Sequence, residues 1–153
     1  MQIRNMRPIS FLLIIGLAFL TLLVLSGCGS AESLAMASLS TLPDYVQSAP
    51  PRVREAYQFA AANPDLLVYQ PCYCGCGAMG HTSNLSCYIS DTAEDGTPIY
   101  DNHASGCGIC VDITEDVMRL IREGKSQPEI RRYVDAQYSR FGPSTDTPKP
   151  PQS

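Results

Sequence analysis

The alternation of apolar and polar positions is clearest in the last third of the chain. In VDITEDVMRLIREG, Ile113, Val117, Leu120 and Ile121 recur at i, i+4, i+7 and i+8. Glu115 and Asp116 sit in the first turn and Gly124 stands just past the end, so the spacing predicts a helix over 113–122. Ser126 followed three residues later by Glu129 forms a capping box, and Ile130, Tyr133, Val134 and Tyr138 give the next helix, 129–140, an apolar inner face. Two amphipathic helices so closely joined predict a helical hairpin. Upstream, Val53, Ala56, Tyr57 and Ala60 share one face of a short helix in 52–62 that Asn63-Pro64 stops. Leu85–Ile89 and Thr97–Tyr100 flank an acidic turn containing Asp95-Gly96, the pattern of a β-hairpin. Between Pro71 and Asn84 there is no periodicity, and Met79 is the one large aliphatic residue. The pattern predicts an α+β fold, mainly α: an N-terminal helix, a short β-hairpin and a C-terminal helical hairpin around a middle that has no apolar core of its own.

With 153 residues the chain holds one small domain, placed at 51–143. Before it, Arg4 and Arg7 lead into the apolar run Ile9–Leu25, which ends in Leu25-Ser26-Gly27-Cys28 rather than a basic stop, so residues 1–27 read as a secretion signal. The ending resembles the lipobox of bacterial lipoproteins, which implies that Cys28 becomes a lipid-bearing first residue and anchors the protein to a membrane outside the cytoplasm. Residues 28–50, rich in Ser, Ala and Pro, read as a flexible tether, and the Thr/Pro/Lys tail 144–153 as disordered. The formal net charge of −4 grows more negative once the two leader arginines are removed, which argues against nucleic acid or anionic lipid as a partner.

Composition changes the picture most at cysteine. Beyond Cys28, the chain carries Cys72, Cys74, Cys76, Cys87, Cys107 and Cys110, and its only two histidines, His81 and His103, fall among them: C-x-C-x-C-x4-H-x5-C, then H-x3-C-x2-C. Three chemistries fit. A Gly-containing loop at Gly75 and Gly77 can turn alternate thiolates onto one soft cation with imidazole completing the shell, which suits Zn(II) or Cu(I). In this leading reading all eight residues are candidate ligands, and a metal-trafficking protein is the expected partner. Alternatively, Cys107-Gly108-Ile109-Cys110 is a C-x-x-C pair before a helix, where a thiolate is favoured, as in thiol–disulfide exchange with a redox partner. Third, three disulfides could staple an interaction domain without chemistry, which oxidising surroundings permit. Val111 stands where a haem-attachment motif needs histidine, so covalent haem is excluded. Tyr69, Tyr73, Tyr88 and Tyr100 read as packing around the cluster, and Asp101-Asn102-His103 as a pair able to orient an imidazole.

PCYCGCG, GHTSNLSCYI and DNHASGCGICVDI resemble the bacterial family named for its PCYCGC motif, mostly lipoproteins, over roughly Pro50 to Pro148. The resemblance implies the domain and the lipid anchor and no activity. CGICVDI with the later GKSQPEIRRYVDAQYSRFG is similar to the dithiol helical domain of haem-lyase H-type cytochrome c maturation proteins, which implies a helical hairpin and makes Cys107 and Cys110 the thiol pair; Ser105 and Gly106 depart from the Leu-Arg of that family.

Overall fold

A computed structural model describes residues 33–152; the signal, Cys28 and the first residues after it lie outside the described residues. The elements are α1 (Asp44–Gln47), α2 (Pro51–Ala62), α3 (Pro64–Leu67), β1 (Ile89–Thr92), β2 (Pro98–Tyr100), α4 (His103–Gly106), α5 (Gly108–Arg122) and α6 (Gln127–Tyr138), with short 3₁₀ turns at Leu39–Thr41, Cys76–Met79 and Leu85–Cys87. The fold is mainly helical with one antiparallel two-stranded hairpin, as the pattern predicts.

Helix α5 is the centre of the domain, lying against α2 on one side and α6 on the other. Its predicted face is buried through Ile113, Val117 and Leu120, and meets Val53, Ala56, Tyr57, Phe59 and Ala60 of α2 with Ile130 and Val134 of α6 in one core. The helix stops where expected. Gly124 adopts φ +74°, its N–H donates to Ile121 O at 2.8 Å and the Lys125 N–H to Leu120 O at 3.0 Å, a paired closure of the last turn that a left-handed residue makes possible. The capping box of α6 forms as read, with Glu129 Oε2 accepting the Ser126 N–H at 2.8 Å.

Five boundaries differ from the expectation, the first being α6, which runs over Gln127–Tyr138 rather than 129–140. Helix α5 begins at Gly108, so Cys107 takes the N-cap position and Cys110 lies inside the first turn rather than ahead of the helix. The first strand begins at Ile89, because Leu85–Cys87 is a 3₁₀ turn that carries Cys87 inward, and β1 pairs with β2 through Ile89↔Tyr100 and Thr92↔Pro98 around an irregularity at Ser90. Residues 33–50 are no loose tether: Leu42 and Val46, four apart, are buried, and Ala37 exchanges hydrogen bonds with Gln58. The tail after Ser144 is likewise not free of the domain. Thr145 and Thr147 are buried, the Thr145 N–H donates to Cys72 O at 3.0 Å, and Arg131 donates to Pro148 O at 3.2 Å. Backbone pairing, two hydroxyls and the Arg131 guanidinium hold this segment, polar contacts that composition gave no sign of. No helix of the described residues is long and apolar enough to cross a membrane.

Candidate metal centre

Three stretches of chain supply the site. The first is Pro71–Met79, where Gly75 at φ +86° reverses the backbone just before the 3₁₀ turn. Only a residue without Cβ enters that region freely. Cys72 and Cys74, just ahead of Gly75, stand with their Sγ atoms 3.4 Å apart, and the reversal sends Cys76 toward Cys87, 3.7 Å away. Gly77 has no such backbone requirement, and a Cβ added there would meet Thr145 of the tail at ordinary contact distance. The second stretch, Leu85–Cys87, delivers Cys87. The third is α4 with the start of α5, which brings His103, Cys107 and Cys110.

Seven of the eight predicted donors converge, in two groups. Cys74, His103, Cys107 and Cys110 have donor atoms all within 4.8 Å of one another, as do Cys72, Cys76 and Cys87. The groups adjoin, since Cys110 Sγ is 3.4 Å from Cys72 Sγ and 3.8 Å from Cys74 Sγ, and His103 Nε2 is 3.3 Å from Cys74 Sγ. All six thiols are unbridged. Sulfurs bonded to each other stand about 2.05 Å apart, whereas four donors around a zinc ion with Zn–S of about 2.3 Å stand roughly 3.8 Å apart. The observed separations therefore fit a shared cation and do not fit disulfides.

Electrostatics points the same way. Cys72, Cys76 and Cys87 are fully or almost fully buried, and a buried anion is stable only when paired. The arginines of the neighbourhood are engaged elsewhere: Arg52 with Asp112 and Glu115, and Arg131 with Asp135. The thiols must then share charge among themselves. Cys72 titrates far below an ordinary thiol, chiefly because the Cys110 thiol donates to it, and Cys74 falls to about 5, chiefly through Cys87 and then His103. The donors move the other way: Cys87 is raised chiefly by Cys110, Cys110 chiefly by Cys72, and Cys107 by burial. The negative charge of the cluster therefore settles on Cys72 and Cys74, with Cys87, Cys107 and Cys110 donating to them or staying protonated.

A buried polar chain holds the backbone of this centre. The Cys110 carbonyl accepts from Asn84 Nδ2 at 3.2 Å and from the Tyr88 hydroxyl at 2.9 Å; Thr114 Oγ1 lies 2.7 Å from that hydroxyl and donates to Asn84 Oδ1 at 2.8 Å. Asn84, Tyr88 and Thr114 are all buried. The chain ties the loop before Cys87 to the first turn of α5, so the two sources of thiols keep a fixed separation. Tyr88, read as mere packing, is thus a polar anchor, and Asn84 and Thr114 were missed because an isolated Asn or Thr carries no periodic signal. A second pin comes from the tail, where Thr145 Oγ1 accepts the Cys72 N–H at 2.9 Å.

His81 is the donor left outside both groups. Its Nε2 lies 3.6 Å from Asp101 Oδ2, its Nδ1 is buried without a partner among the described residues, and its ring meets that of His103 edge-on at 5.2 Å. Asp101 therefore serves His103 through the backbone, accepting its N–H at 2.7 Å, and faces the imidazole of His81 instead.

A family profile described as "Protein of unknown function with PCYCGC motif" matches residues 17–150. No curated protein and no solved structure matches the chain. The likeness of the last third to haem-lyase-type dithiol domains is thus carried by the quoted residues alone.

Proposed function

The chain belongs to the PCYCGC-motif family, and from that premise we propose that it is a lipid-anchored module outside the cytoplasm that binds a thiophilic metal, Zn(II) or Cu(I), through its Cys/His centre. One observation carries the reading: seven thiol and imidazole donors drawn from three separate stretches meet at ligand spacing without a single disulfide. Thiolate-rich sites with one imidazole select soft or borderline cations over Mg(II) or Ca(II), which prefer oxygen. The ion when bound supplies the positive charge that the buried thiolates lack, and it cross-links a middle segment too poor in apolar residues to hold itself. The lipid on Cys28 keeps the module at the membrane surface, where a metal-trafficking protein would meet it.

The test is elemental analysis of the full chain, purified in detergent without chelator or added reductant, paired with thiol alkylation. The expected result is stoichiometric zinc or copper, with at least four thiols that alkylate only after the metal is stripped. A metal-free protein with a reducible Cys107–Cys110 pair would assign it to thiol exchange, and a full set of reduction-resistant disulfides would make the centre a staple.

A further inference from the structure

The two donor groups are unequal, and their inequality counts ions. Cys74, His103, Cys107 and Cys110 are four donors, a complete tetrahedral shell; Cys72, Cys76 and Cys87 are three and leave that shell one short. Two four-coordinate ions need eight ligand bonds, and seven donors are present, so a single donor must be shared. His81 does not reach the three-thiol group, and a water has no route to thiols that are 0–2% exposed. Cys110 does reach Cys72 of that group. Its Sγ belongs to the four-donor group, lies 3.4 Å from Cys72 Sγ, and is fully buried between the two groups. Cys74 is as near to Cys72 but is partly exposed and already faces His103. The carbonyl of Cys110, held by Asn84 and Tyr88, fixes the residue from which both shells are measured.

We propose that the centre is dinuclear: the Cys110 thiolate bridges one ion held by Cys72, Cys76 and Cys87 and a second held by Cys74, His103 and Cys107, and only the second is exchanged with a partner. This rests on the metal reading above and deepens it. The inner ion has no exposed ligand. The outer ion has three partly exposed ones, and beside Cys107 a cavity of about 200 Å³ opens between Arg52, Val53, Ser105, Gly106 and Gly108. An incoming thiolate or imidazole can enter there and displace Cys107 from the ion. One metal–sulfur bond then breaks as one metal–ligand bond forms, with no change of oxidation state. The protein would keep one ion as a permanent part of its fold and pass the other.

The probe is the full chain in detergent, reduced, and loaded with Zn(II) or with NMR-active cadmium. Mass spectrometry under native conditions should show two ions per chain, and a chromophoric chelator should remove zinc in two phases of equal size. The two cadmium resonances should be scalar-coupled through the shared sulfur. Cys107→Ser should abolish the fast phase alone, Cys110→Ser should leave one ion at most, and His81→Ala should keep both. One ion per chain, two uncoupled cadmium resonances, release in one phase, or loss of an ion in His81→Ala would each overturn the dinuclear assignment while leaving metal binding intact. Absence of bound metal would overturn the functional reading itself.

Discussion

The Tyr88 hydroxyl lies 2.9 Å from the carbonyl oxygen of Cys110, so a side chain from the hairpin's approach fixes the backbone of a cysteine in the first turn of α5. Tyr88→Phe keeps the ring and its edge-on contact with Tyr57 at 4.9 Å and removes only the oxygen. The loss should cost about 1–3 kcal/mol of stability for the buried groups left unpaired. It should also weaken metal binding by roughly tenfold or more, as removing a support of a ligand does. Chelator competition and chemical denaturation measure the two effects on the same sample.

The tail gives a second prediction. Thr145 Oγ1 accepts the Cys72 N–H, and the Thr145 N–H donates to the Cys72 carbonyl. Thr145→Val keeps the shape and the second bond but leaves a buried N–H orphaned, at about 1–3 kcal/mol. Ending the chain at Pro143 removes both bonds and should lower the melting temperature further and speed release of the metal. A truncated protein that melts and releases zinc as the parent does would show that the tail only decorates the surface.

On the helical hairpin, Leu120→Ala should destabilise by about 2–3 kcal/mol through the cavity it opens, and Val134→Asp by more because it buries an unpaired charge. Thermal melts rank them; an aspartate tolerated at Val134 would mean this face is not buried.

Glu129 adds a pH signature. Its carboxylate titrates below the ordinary value because the Ser126 N–H and hydroxyl donate to it. A depressed folded value means its stabilisation is fully present above the unfolded glutamate value of about 4.3 and is lost as pH falls through the lower folded value. The stability gap between the parent and Glu129→Ala should therefore be constant from pH 7 to 5 and close below that. Ser126→Ala, which removes the cap oxygen, should cost about 1 kcal/mol at neutral pH.

For the anchor, Cys28→Ala should release the protein from membranes or leave an unprocessed precursor, read by fractionation and lipid labelling. Labelled, membrane-bound mature protein in that variant would exclude Cys28 as the lipid site.

What the sequence made legible follows the range of the physics involved. The helices of the C-terminal hairpin declared themselves because their signals are local: Ile113, Val117 and Leu120 on one face, Ser126 and Glu129 at a cap, Gly124 at a stop. The candidate donors were equally visible by residue type, and seven of the eight meet. Their division into two groups was not, because it depends on Gly75 turning the chain between Cys74 and Cys76 and on Cys87 turning inward from a 3₁₀ turn. Nor could composition reveal that Asn84, Thr114 and Thr145 are supports, since each acts across 26 residues or more. Leu42 and Val46 show the opposite failure: a pair of apolar residues in a Ser/Ala/Pro background was outweighed by the average.

The bond between Thr145 and Cys72 joins residues 73 apart. A chain made from its N-terminus therefore presents its first thiols long before the segment that clasps them exists. Until residue 145 is made, the backbone of Cys72 lacks both of its hydrogen-bond partners on Thr145. The clasp on the first cysteines is therefore among the last contacts such a chain can make, and the order of synthesis runs opposite to the order in which this segment is held.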